Sequence, residues 1–379
     1  MTTELPDSAL ELRSLVTSQG TLELSLADVA IASPTDNQVV VRVEAAPINP
    51  SDLGVLTAGA DMSTAVTGGT AQRPTVTASL GADALAQLSA RVDKPLPVGN
   101  EGAGTVVAAG ASPTAQALIG KTVGLAGGAM YSQYRVVDAS MCLVLPEGTA
   151  ARDGASSFVN PLTALGMVET MRREGHSALV HTAAASNLGQ MLVKLCIQDE
   201  VPLVNIVRKP DQEELLRSLG AVHVCNSESA SFSTDLVEAL TATSATLAFD
   251  ATGGGTLASD ILSGMEKAAS ATAAEYSRYG SSVHKQVYIY GVLDTRPLVL
   301  NKGFGMAWGV GGWLLTPFLA GIGPTEIERL RARIAAELTT TFASAYNREV
   351  SLAGMLAPDA FQSYIKRATG EKFLVTPQA

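Results

Sequence analysis

The segment Ser177-Ala-Leu-Val-His-Thr-Ala-Ala-Ala-Ser-Asn-Leu-Gly189, which continues as Gln190-Met-Leu-Val-Lys-Leu-Cys196, decides the fold of this chain. An apolar stretch typical of a buried strand runs into small residues and then into a pattern of helical period. A turn of small residues lets the backbone approach a phosphate closely, and the N–H groups at a helix start favour negative charge. The segment therefore predicts a strand–turn–helix cradle for a dinucleotide.

The cradle lacks most of the glycines that such sites usually carry. In the frame of the G-x-G-x-x-G pattern, Ala184 and Ser186 take the first two glycine places and only Gly189 is kept. We expect Gly189 to allow close helix packing and Ser186 to add a hydroxyl beside the pyrophosphate. The predicted cofactor-binding residues of this segment are Ala184, Ser186, Asn187, Leu188 and Gly189. Many α/β domains without a nucleotide contain a similar segment, so this stretch alone leaves both interpretations open.

The next apolar strand indicates which cofactor would bind. Residues 201–207 end at Arg208-Lys209-Pro210, and the nearest acid, Asp211, lies beyond the proline. An acidic residue at this place holds the ribose hydroxyls of NAD, whereas a cation accommodates the 2′-phosphate of NADP. The sequence therefore favours NADPH, with Arg208 and Lys209 as binding residues. The alternative is that both are solvated loop charges.

Strands and helices continue to alternate after this point. Strands are predicted at 222–225, 245–250 and 286–290, and helices at 211–219, 233–240 and 256–269. Such alternation predicts a doubly wound parallel sheet, an α/β fold in which ligands bind at the carboxyl ends of the strands. We expect one crevice to be lined by residues 184–189, Arg208, Thr252, Gly253, Gly254 and Gly291.

The amino-acid composition limits the number of domains, the partners and the compartment that this chain can have. The 379 residues are 46% apolar and 16% charged, enough for two cores. A formal charge of −10 argues against nucleic acid as a partner. Cys142, Cys196 and Cys225 lie in apolar runs without C-x-x-C spacing, which indicates buried free thiols in a reducing compartment. No signal or transit peptide and no membrane span is visible, so we expect a cytoplasmic protein.

The first 150 residues have a different pattern. Short strands bounded by glycine or other turn residues are predicted at 39–45, 104–110, 120–125 and 131–137. They indicate an irregular, barrel-like β domain.

Three motifs then give a specific resemblance. They are Ala46-Pro-Ile-Asn-Pro-Ser-Asp52, Pro97-Val-Gly-Asn-Glu-Gly-Ala-Gly-Thr-Val-Val107 and Phe158-Val-Asn-Pro-Leu-Thr-Ala164. In this order they resemble the medium-chain dehydrogenase/reductase superfamily, and most of all its zinc-free quinone oxidoreductases and 2-enoyl thioester reductases. Glu337-Leu-Thr-Thr-Thr-Phe-Ala-Ser344 and Thr369-Gly-Glu-Lys-Phe-Leu374 fit the same group. The resemblance implies a Rossmann NADP-binding domain at 153–318 and a GroES-like irregular β-barrel catalytic domain at 1–152 and 319–379.

The resemblance also implies roles for residues outside the cradle. Asn49 would contact the nicotinamide ribose, Asn160 and Thr163 would border the nicotinamide end, and Tyr290 and Lys372 would be further cofactor contacts. Of these residues, Asn49 and Thr163 would position the substrate and the nicotinamide. The alternatives are an Asx-turn at Asn49 and a helix cap at Asn160.

No metal is expected at the reaction centre. The zinc-dependent relatives need a thiolate, an imidazole and a third ligand there. This chain has Asn49 and Asn100 where cysteine and histidine would stand, and the four-cysteine structural lobe is missing. The four histidines, His176, His181, His223 and His284, lie at unrelated spacings and are read as strand-end or surface residues.

Without a metal, a nicotinamide can still deliver hydride to an electron-poor carbon. The leading interpretation is NADPH-dependent reduction of an activated C=C bond in a small-molecule 2-enoyl thioester or enone, the thioester carried on coenzyme A or a carrier protein. Two alternatives stay open, an NADPH:quinone oxidoreductase and a non-catalytic, cofactor-binding structural relative. Specificity resides in loops, so the sequence barely separates the first two.

One departure from the family affects the mechanism. The thioester reductases carry a tyrosine shortly after the Asn-Pro-Ser-Asp turn, but residues 53–98 contain none, and no proton donor is assigned. Tyr131 and Tyr134 alternate along a predicted strand and are expected to pack. Residues 57–91 instead form a long insertion, expected to be a lid or wall of the substrate pocket with a helix at 82–91.

The apolar stretch 301–315 contains both tryptophans and follows the last predicted strand of the sheet. An apolar edge strand invites pairing with a second copy, which predicts a homodimer.

Overall fold

The computed structural model describes residues 5–273, 275–366 and 371–379. It forms two compact units, which we call unit 1 (Met1–Val159 with Arg331–Ala379) and unit 2 (Asn160–Leu330). The units divide at 159/160 and 330/331, whereas the sequence places domain boundaries at 152/153 and 318/319. Segments 153–159 and 319–330 therefore fall on the other side of the expected division, and the roles assigned to the two domains stay predictions.

The helices and strands are numbered in chain order. The strands are β1 (Ser8–Val16), β2 (Thr21–Ala30), β3 (Gln38–Pro47), β4 (Asp61–Gly69), β5 (Pro74–Ser79), β6 (Leu96–Pro97), β7 (Glu101–Ala109), β8 (Thr122–Ala126), β9 (Tyr134–Asp138), β10 (Leu143–Val144), β11 (Leu179–His181), β12 (Leu203–Val207), β13 (His223–Asn226), β14 (Leu247–Asp250), β15 (Lys285–Ile289), β16 (Trp308–Gly312), β17 (Arg348–Val350) and β18 (Phe373–Val375). The α-helices are α1 (Leu53–Thr57), α2 (Ala82–Gln87), α3 (Pro113–Gln116), α4 (Ala151–Gly154), α5 (Val159–Arg173), α6 (Asn187–Gln198), α7 (Pro210–Ser218), α8 (Phe232–Thr243), α9 (Leu257–Ala271), α10 (Leu315–Ile322), α11 (Pro324–Ala336) and α12 (Pro358–Tyr364). Short 3₁₀ turns lie at Pro50–Asp52, Ser89–Arg91, Ala139–Met141 and Gly354–Leu356.

Unit 1 is built from two largely antiparallel sheets. One has the strand order β4-β5-β2-β1-β6, and the other has the order β10-β8-β7-β3-β18-β17 with β9 also paired to β3. Alternate side chains along the strands enter one core, for example Leu22 and Leu24 of β2 and Val39 and Val41 of β3, all fully buried. The barrel-like β domain predicted from short, glycine-bounded strands is confirmed.

The insertion at 57–91 is part of this framework. Its strands β4 and β5 form an antiparallel hairpin, and β5 pairs with β2, so the insertion widens the first sheet. The helix predicted over 82–91 is shorter, because α2 ends at Gln87 and a 3₁₀ turn follows. Arg91 in that turn donates to Ser14 Oγ at 3.0 Å and to the Val55 carbonyl at 3.3 Å, which ties the end of the insertion to β1 and α1.

Unit 2 contains one parallel sheet with the order β13-β12-β11-β14-β15-β16. All five residues of β12 and all four of β14 are buried, as expected for strands covered on both faces. Helices alternate with the strands along the chain. The strand that comes first in sequence, β11, lies in the middle of the sheet; β12 and β13 extend the sheet on one side of it, and β14, β15 and β16 extend it on the other. The predicted doubly wound parallel sheet is confirmed, and its ligand-binding edge is predicted to be the carboxyl end of the strands.

Two further expectations can be compared with the structure. Cys142, Cys196 and Cys225 are free and buried, as predicted, and burial raises the pKa of each thiol. Among the helices of the described residues, none is both long and apolar enough to span a bilayer.

Candidate functional site

The cradle in unit 2 is a tight turn between β11 and α6. Ser186 is the N-cap of α6, and its Oγ accepts the backbone N–H of Gly189 at 3.1 Å. A Cβ atom on residue 189 would lie 2.0 Å from the carbonyl oxygen of Ala184, a distance no side chain tolerates. Only glycine permits this approach of the helix to the turn. The close packing expected at Gly189 is therefore present.

The turn itself differs from the glycine frame in one respect. Ala183, with φ of 51°, is the residue in the left-handed conformation, whereas the motif aligned its first glycine with Ala184. The Ser186 N–H donates to the Ala183 carbonyl at 2.9 Å and closes the turn. An alanine in this conformation costs about 1–2 kcal/mol, which the surrounding structure offsets.

A buried carboxylate that sequence reasoning missed organises the neighbouring turn. Asp250, at the end of β14, accepts the hydroxyl of Thr182 at 2.8 Å and the N–H and hydroxyl of Thr252 at 2.8 and 2.6 Å. Its other oxygen accepts the N–H of Gly253 at 3.2 Å, and Thr182 Oγ1 in turn accepts the Ala251 N–H. The turn after β14 is thus fixed to the end of β11. The one available signal was an acid ending an otherwise apolar strand.

The turn after β15 touches the turn after β14. A Cβ on Gly253 would lie 2.3 Å from the Gly291 carbonyl oxygen, so the two backbones are in direct contact. Tyr290 is a predicted cofactor contact, and its hydroxyl is hydrogen-bonded to His181 Nε2 at 2.7 Å. Burial raises the pKa of Tyr290 and lowers the pKa of His181 to about 3, so this pair is uncharged near neutral pH.

Arg208 and Lys209 follow β12 directly, and both side chains are exposed. The Arg208 backbone N–H donates to Gln212 Oε1 at 3.1 Å, which fixes the start of α7. Neither side chain forms an ion pair with another described residue, so both cations are available to an anion. Because β12, β11, β14 and β15 are adjacent and parallel, these residues share one edge of the sheet with the cradle and the turns at 252–254 and 291.

Asn160 and Thr163 belong to the first two turns of α5 in unit 2. Thr163 is buried with 7% of its surface exposed, and Asn160 is half-buried. Asn187 and Leu188 form the first turn of α6 beside Gly189. The cofactor roles of these residues stay predictions.

In unit 1, Asn49 belongs to a polar cluster that includes Asp52, Glu101, Ser156 and Lys372. The Asn49 backbone N–H donates to Asp52 Oδ2 at 2.8 Å, and its side-chain Nδ2 donates to Glu101 Oε1 at 2.8 Å. The amide nitrogen is therefore held by a residue of β7, and Asn49 is at the same time the N-cap of the 3₁₀ turn Pro50–Asp52, where it forms a capping box with Asp52. The contact with Glu101 fixes the orientation of the Asn49 side chain.

Glu101 is fully buried and connects Asn49 to the start of α5. Its Oε2 accepts the backbone N–H groups of Phe158 and Val159, each at 2.9 Å, so the carboxylate satisfies donors at a helix start. Burial raises the pKa of Glu101, and the field of Lys372 and these hydrogen bonds oppose the rise. Sequence reasoning quoted Glu101 within a motif but gave it no role.

Asp52 and Asn100 stabilise the turn that carries Asn49. Asp52 Oδ1 accepts the Asn100 N–H at 2.7 Å, and Asn100 Nδ2 donates to Ser51 Oγ at 3.0 Å. Burial raises the pKa of Asp52 to about 7, although the N–H groups of Asn49 and Asn100 act against it. Within the described ranges, no group of three or more histidine, cysteine or acidic side chains could hold a metal ion.

Lys372 lies in unit 1, where its Nζ donates to Ser156 Oγ at 2.9 Å. The same oxygen accepts the Tyr346 hydroxyl at 2.7 Å. Burial lowers the pKa of Lys372 to about 8, although the negative fields of Glu101 and Asp52 oppose the change. Sequence reasoning missed Ser156 and Tyr346. Thr369 and Gly370 of the motif that singled out Lys372 lie outside the described residues.

Tyr131 is fully buried, and its hydroxyl donates to the Pro47 carbonyl at 3.1 Å. Burial and the neighbouring Asp52 raise its pKa well above the usual value for tyrosine. This side chain is packed inside unit 1, as expected.

Comparison with known proteins agrees with this architecture. Residues 35–147 match the alcohol dehydrogenase GroES-like domain. The mitochondrial enoyl-[acyl-carrier-protein] reductase of Xenopus tropicalis is 29% identical over 215 residues, which cover 54% of this chain and 52% of that protein. The chain thus spans about half the length of the curated relative it matches.

Solved structures match over the whole chain. A protein described as an NADPH:quinone reductase from Mesorhizobium loti superposes with a TM-score of 0.73 at 24% identity, covering 99% of this chain and 100% of that one. A mycobacterial protein complexed with NADPH has a TM-score of 0.64 at 18% identity, covering 97% and 100%. With the matched GroES-like domain, these solved structures show that the chain has the fold expected from its resemblance to the medium-chain dehydrogenase/reductase superfamily.

Proposed function

We propose that this protein is an NADPH-dependent reductase that acts on an activated carbon–carbon double bond in a small 2-enoyl thioester or enone. The observation that carries the proposal is the strand-end edge of unit 2. There, the helix start at Gly189 approaches the turn at Ala184 as closely as backbone can, and Arg208 follows the neighbouring strand. A pyrophosphate suits the first feature and a 2′-phosphate suits the second.

The described residues fit such a cofactor. The N-cap at Ser186 leaves the start of α6 facing the carboxyl ends of the strands, and Asp250 holds the neighbouring turn rigid. A bound nicotinamide supplies a hydride to an electron-poor carbon. The names of the similar proteins include an NADPH:quinone reductase and an NADPH complex, which supports this cofactor.

The chain's own residues orient the polar groups that would meet the substrate and the cofactor, and they supply a positive charge. Glu101 fixes the amide of Asn49, and Ser156 holds the ammonium group of Lys372 in the same unit. A rigid amide of this kind can hold the carbonyl oxygen of a substrate on which negative charge develops, and an ammonium group held in place can bind an anionic group of the cofactor. We assign Asn49 and Thr163 to positioning the substrate and nicotinamide, and Lys372 to binding the cofactor.

A second candidate function is the reduction of quinones. The observation in its favour is that the structure described as an NADPH:quinone reductase superposes with a TM-score of 0.73, against 0.66 for the CurK enoyl reductase, at nearly complete coverage in both cases. A cofactor-binding protein without catalysis is the third candidate, because residues 53–98 contain no tyrosine.

Three acceptors separate these candidates. NADPH oxidation is followed with crotonyl-CoA, with a simple enone and with a benzoquinone, and each reaction is repeated with NADH. We expect turnover with crotonyl-CoA or the enone and a preference for NADPH. Turnover with benzoquinone alone would favour the second function, and tight NADPH binding without turnover would favour the third.

The cofactor assignment has its own test. Replacing Arg208 with alanine removes the cation that follows β12, so NADPH binding should weaken by about tenfold while NADH binding changes little. Arg278→Ala removes one charge from an exposed loop of the same unit and serves as the control. Equal losses for the two cofactors in Arg208→Ala would rule out the phosphate assignment.

We also propose that the protein forms a homodimer through β16. This strand pairs with β15 on one side, and it is the last strand of the sheet in the part of the chain that the structure describes. Met306 and Leu314, which flank it, are 77% and 63% exposed. Light scattering should give a dimer mass, and Leu314→Lys should lower it. A monomer mass at every concentration would contradict this proposal.

The compartment we propose is the cytoplasm, because a chain with three buried free thiols suits a reducing environment. Fractionation of the source cells, with the protein detected by antibody, tests this. Recovery in an organelle fraction would contradict it.

A further inference from the structure

The loop after β15 carries charges that sequence reasoning did not connect with the cofactor. Asp294 accepts Arg296 Nε at 3.0 Å and Nη2 at 2.6 Å, and it also accepts the Arg296 backbone N–H at 3.0 Å. The Arg296 side chain is 77% exposed and that of Asp294 is 23% exposed. A guanidinium held by a carboxylate in this way is preorganised to hold a phosphate in the same geometry.

This loop is fixed to the turn after β14. The N–H of Asp294 donates to the Thr252 carbonyl at 2.8 Å, and the N–H of Gly255 donates to the Pro297 carbonyl at 3.1 Å. A Cβ on Gly254 would lie 2.5 Å from the Arg296 carbonyl oxygen. The backbone that carries Arg296 therefore has a defined place at the carboxyl ends of the strands.

Arg208, at the end of β12, lies at the same edge of the sheet, the carboxyl ends of the strands. The hydrogen bonds and the charge of Arg296 are the main causes that lower the pKa of Asp294 to about 2, and the charge of Arg208 makes a smaller contribution in the same direction. The hydrogen bond and the charge of Asp294 raise the pKa of Arg296, and the charge of Glu228 raises it by a smaller amount. Two arginines from different strand ends thus lie at the carboxyl edge of the sheet, and one of them, Arg296, is paired with an acid.

We propose that Arg296 is a second ligand for the 2′-phosphate of the cofactor, and that Asp294 competes with this phosphate for Arg296. The proposal rests on the proposed NADPH binding and goes beyond it by naming the residue that limits affinity. In the ligand-free protein, Asp294 holds the guanidinium in place. When a phosphate monoester binds beside Arg208, its charge and that of Asp294 repel, so Asp294 lowers the affinity.

The competition makes the effects of two substitutions opposite in sign. Arg296→Gln should weaken NADPH binding by about tenfold, since it removes one charge-assisted contact at a partly screened site. Asp294→Asn keeps an acceptor for the Arg296 N–H but removes the negative charge. It should therefore tighten NADPH binding by about threefold or more. NADH binding should change less than twofold in both variants.

Fluorescence titration measures both dissociation constants without any acceptor. Adenosine 2′,5′-bisphosphate and ADP are titrated in parallel, because only the first carries a 2′-phosphate. Arg278→Gln provides the control for loss of one charge, and thermal unfolding verifies that each variant is folded. Weakening of ADP and the bisphosphate alike in Arg296→Gln would overturn the proposal, as would an unchanged NADPH-to-NADH ratio in Asp294→Asn.

The titration also separates this inference from the proposed reaction. A wild-type protein that prefers NADPH but reduces no acceptor would contradict the reductase assignment, while the ratios in the variants would still decide the role of Arg296. A wild-type protein that binds NADH as tightly as NADPH would overturn both.

Discussion

Asn49 and Glu101 are joined by a buried hydrogen bond of 2.8 Å from the amide nitrogen to the carboxylate, although 52 residues separate them in sequence. The other carboxylate oxygen accepts two backbone N–H groups at the start of α5. One side chain therefore satisfies three buried donors, which only a carboxylate with two acceptor oxygens can do.

The first prediction concerns Glu101→Gln. Glutamine has one acceptor oxygen and one donor group, so its NH₂ must face either the Asn49 amide or the N–H groups of Phe158 and Val159. A buried donor left without an acceptor costs about 1–3 kcal/mol, so urea unfolding should show a loss of stability in that range. Glu147→Gln, at an exposed glutamate of the same unit, is the matched control. Equal stability of the two variants would contradict the role given to Glu101.

The second prediction is a pH dependence due to Lys372. Burial lowers its pKa to about 8 in the folded protein, against about 10.4 in an unfolded chain. Between these values the unfolded chain binds a proton that the folded protein does not, so stability due to this group rises with pH. Below pH of about 8 both states are protonated and the contribution is constant.

The measurement compares the wild type with Lys372→Met. The difference in unfolding free energy should shift in favour of the wild type as pH increases from about 8 towards about 10.4. Lys121→Met, at an exposed lysine of unit 1, gives the general effect of removing one positive charge, and this effect is subtracted. A corrected difference that is flat or falls across this window would show that Lys372 is not held in a desolvated site.

The third prediction concerns a buried ion pair in unit 2. Lys285 Nζ donates to Glu266 Oε2 at 2.6 Å, and Glu266 Oε1 accepts the Ser281 N–H at 2.7 Å. Lys285→Met leaves Glu266 without its cation and should cost about 3–5 kcal/mol. Adding Glu266→Leu removes the uncompensated charge and should restore part of the loss.

An exposed pair provides the comparison for this variant. Arg329 of α11 pairs with Glu326 and with Glu169, and its side chain is 48% exposed, so Arg329→Gln should cost no more than about 1 kcal/mol. If Lys285→Met lowered the thermal stability as little as Arg329→Gln does, the buried pair would contribute little to the stability of unit 2.

Local sequence patterns predicted those parts of the molecule that depend on local chemistry. Apolar runs such as β12, and the glycine that lets α6 pack closely on the turn, Gly189, carry their own signal. The polar cluster of unit 1 could not be found in this way, since Asn49, Glu101, Ser156 and Lys372 come from separate segments. Their pairing depends on the packing of β3, β7 and β18, which no local period encodes.

The same reason explains what the sequence patterns did not show around the cradle. The glycine pattern aligned Ala184 with a glycine place, yet backbone closure of the turn put the left-handed conformation at Ala183. Asp294 and Arg296 were passed over because their importance comes from the contact of their loop with the turn at 252–255, 40 residues earlier in the chain for Gly254 and Asp294.

The last prediction concerns the insertion at 57–91, which the sequence suggested as a lid or wall of the substrate pocket. Val76 of β5 is fully buried and Leu80, just after it, is 8% exposed, whereas Val66 of β4 is 64% exposed. Deleting the whole insertion would therefore remove core residues of unit 1 and would not test a lid. Leu80→Ala should cost about 2–5 kcal/mol by leaving a cavity.

Val66→Ser, on the exposed strand of the same hairpin, should change stability by no more than about 0.5 kcal/mol. The two variants separate a structural role from a role at the substrate, because β4 has no buried residue and a substitution there leaves the core unchanged. If β4 forms a wall of the pocket, Val66→Ser should alter the ratio of kcat/KM for crotonyl-CoA and for a simple enone while thermal unfolding is unchanged. An unchanged ratio in Val66→Ser, together with the loss of stability in Leu80→Ala, would reduce the insertion to a structural extension of the first sheet.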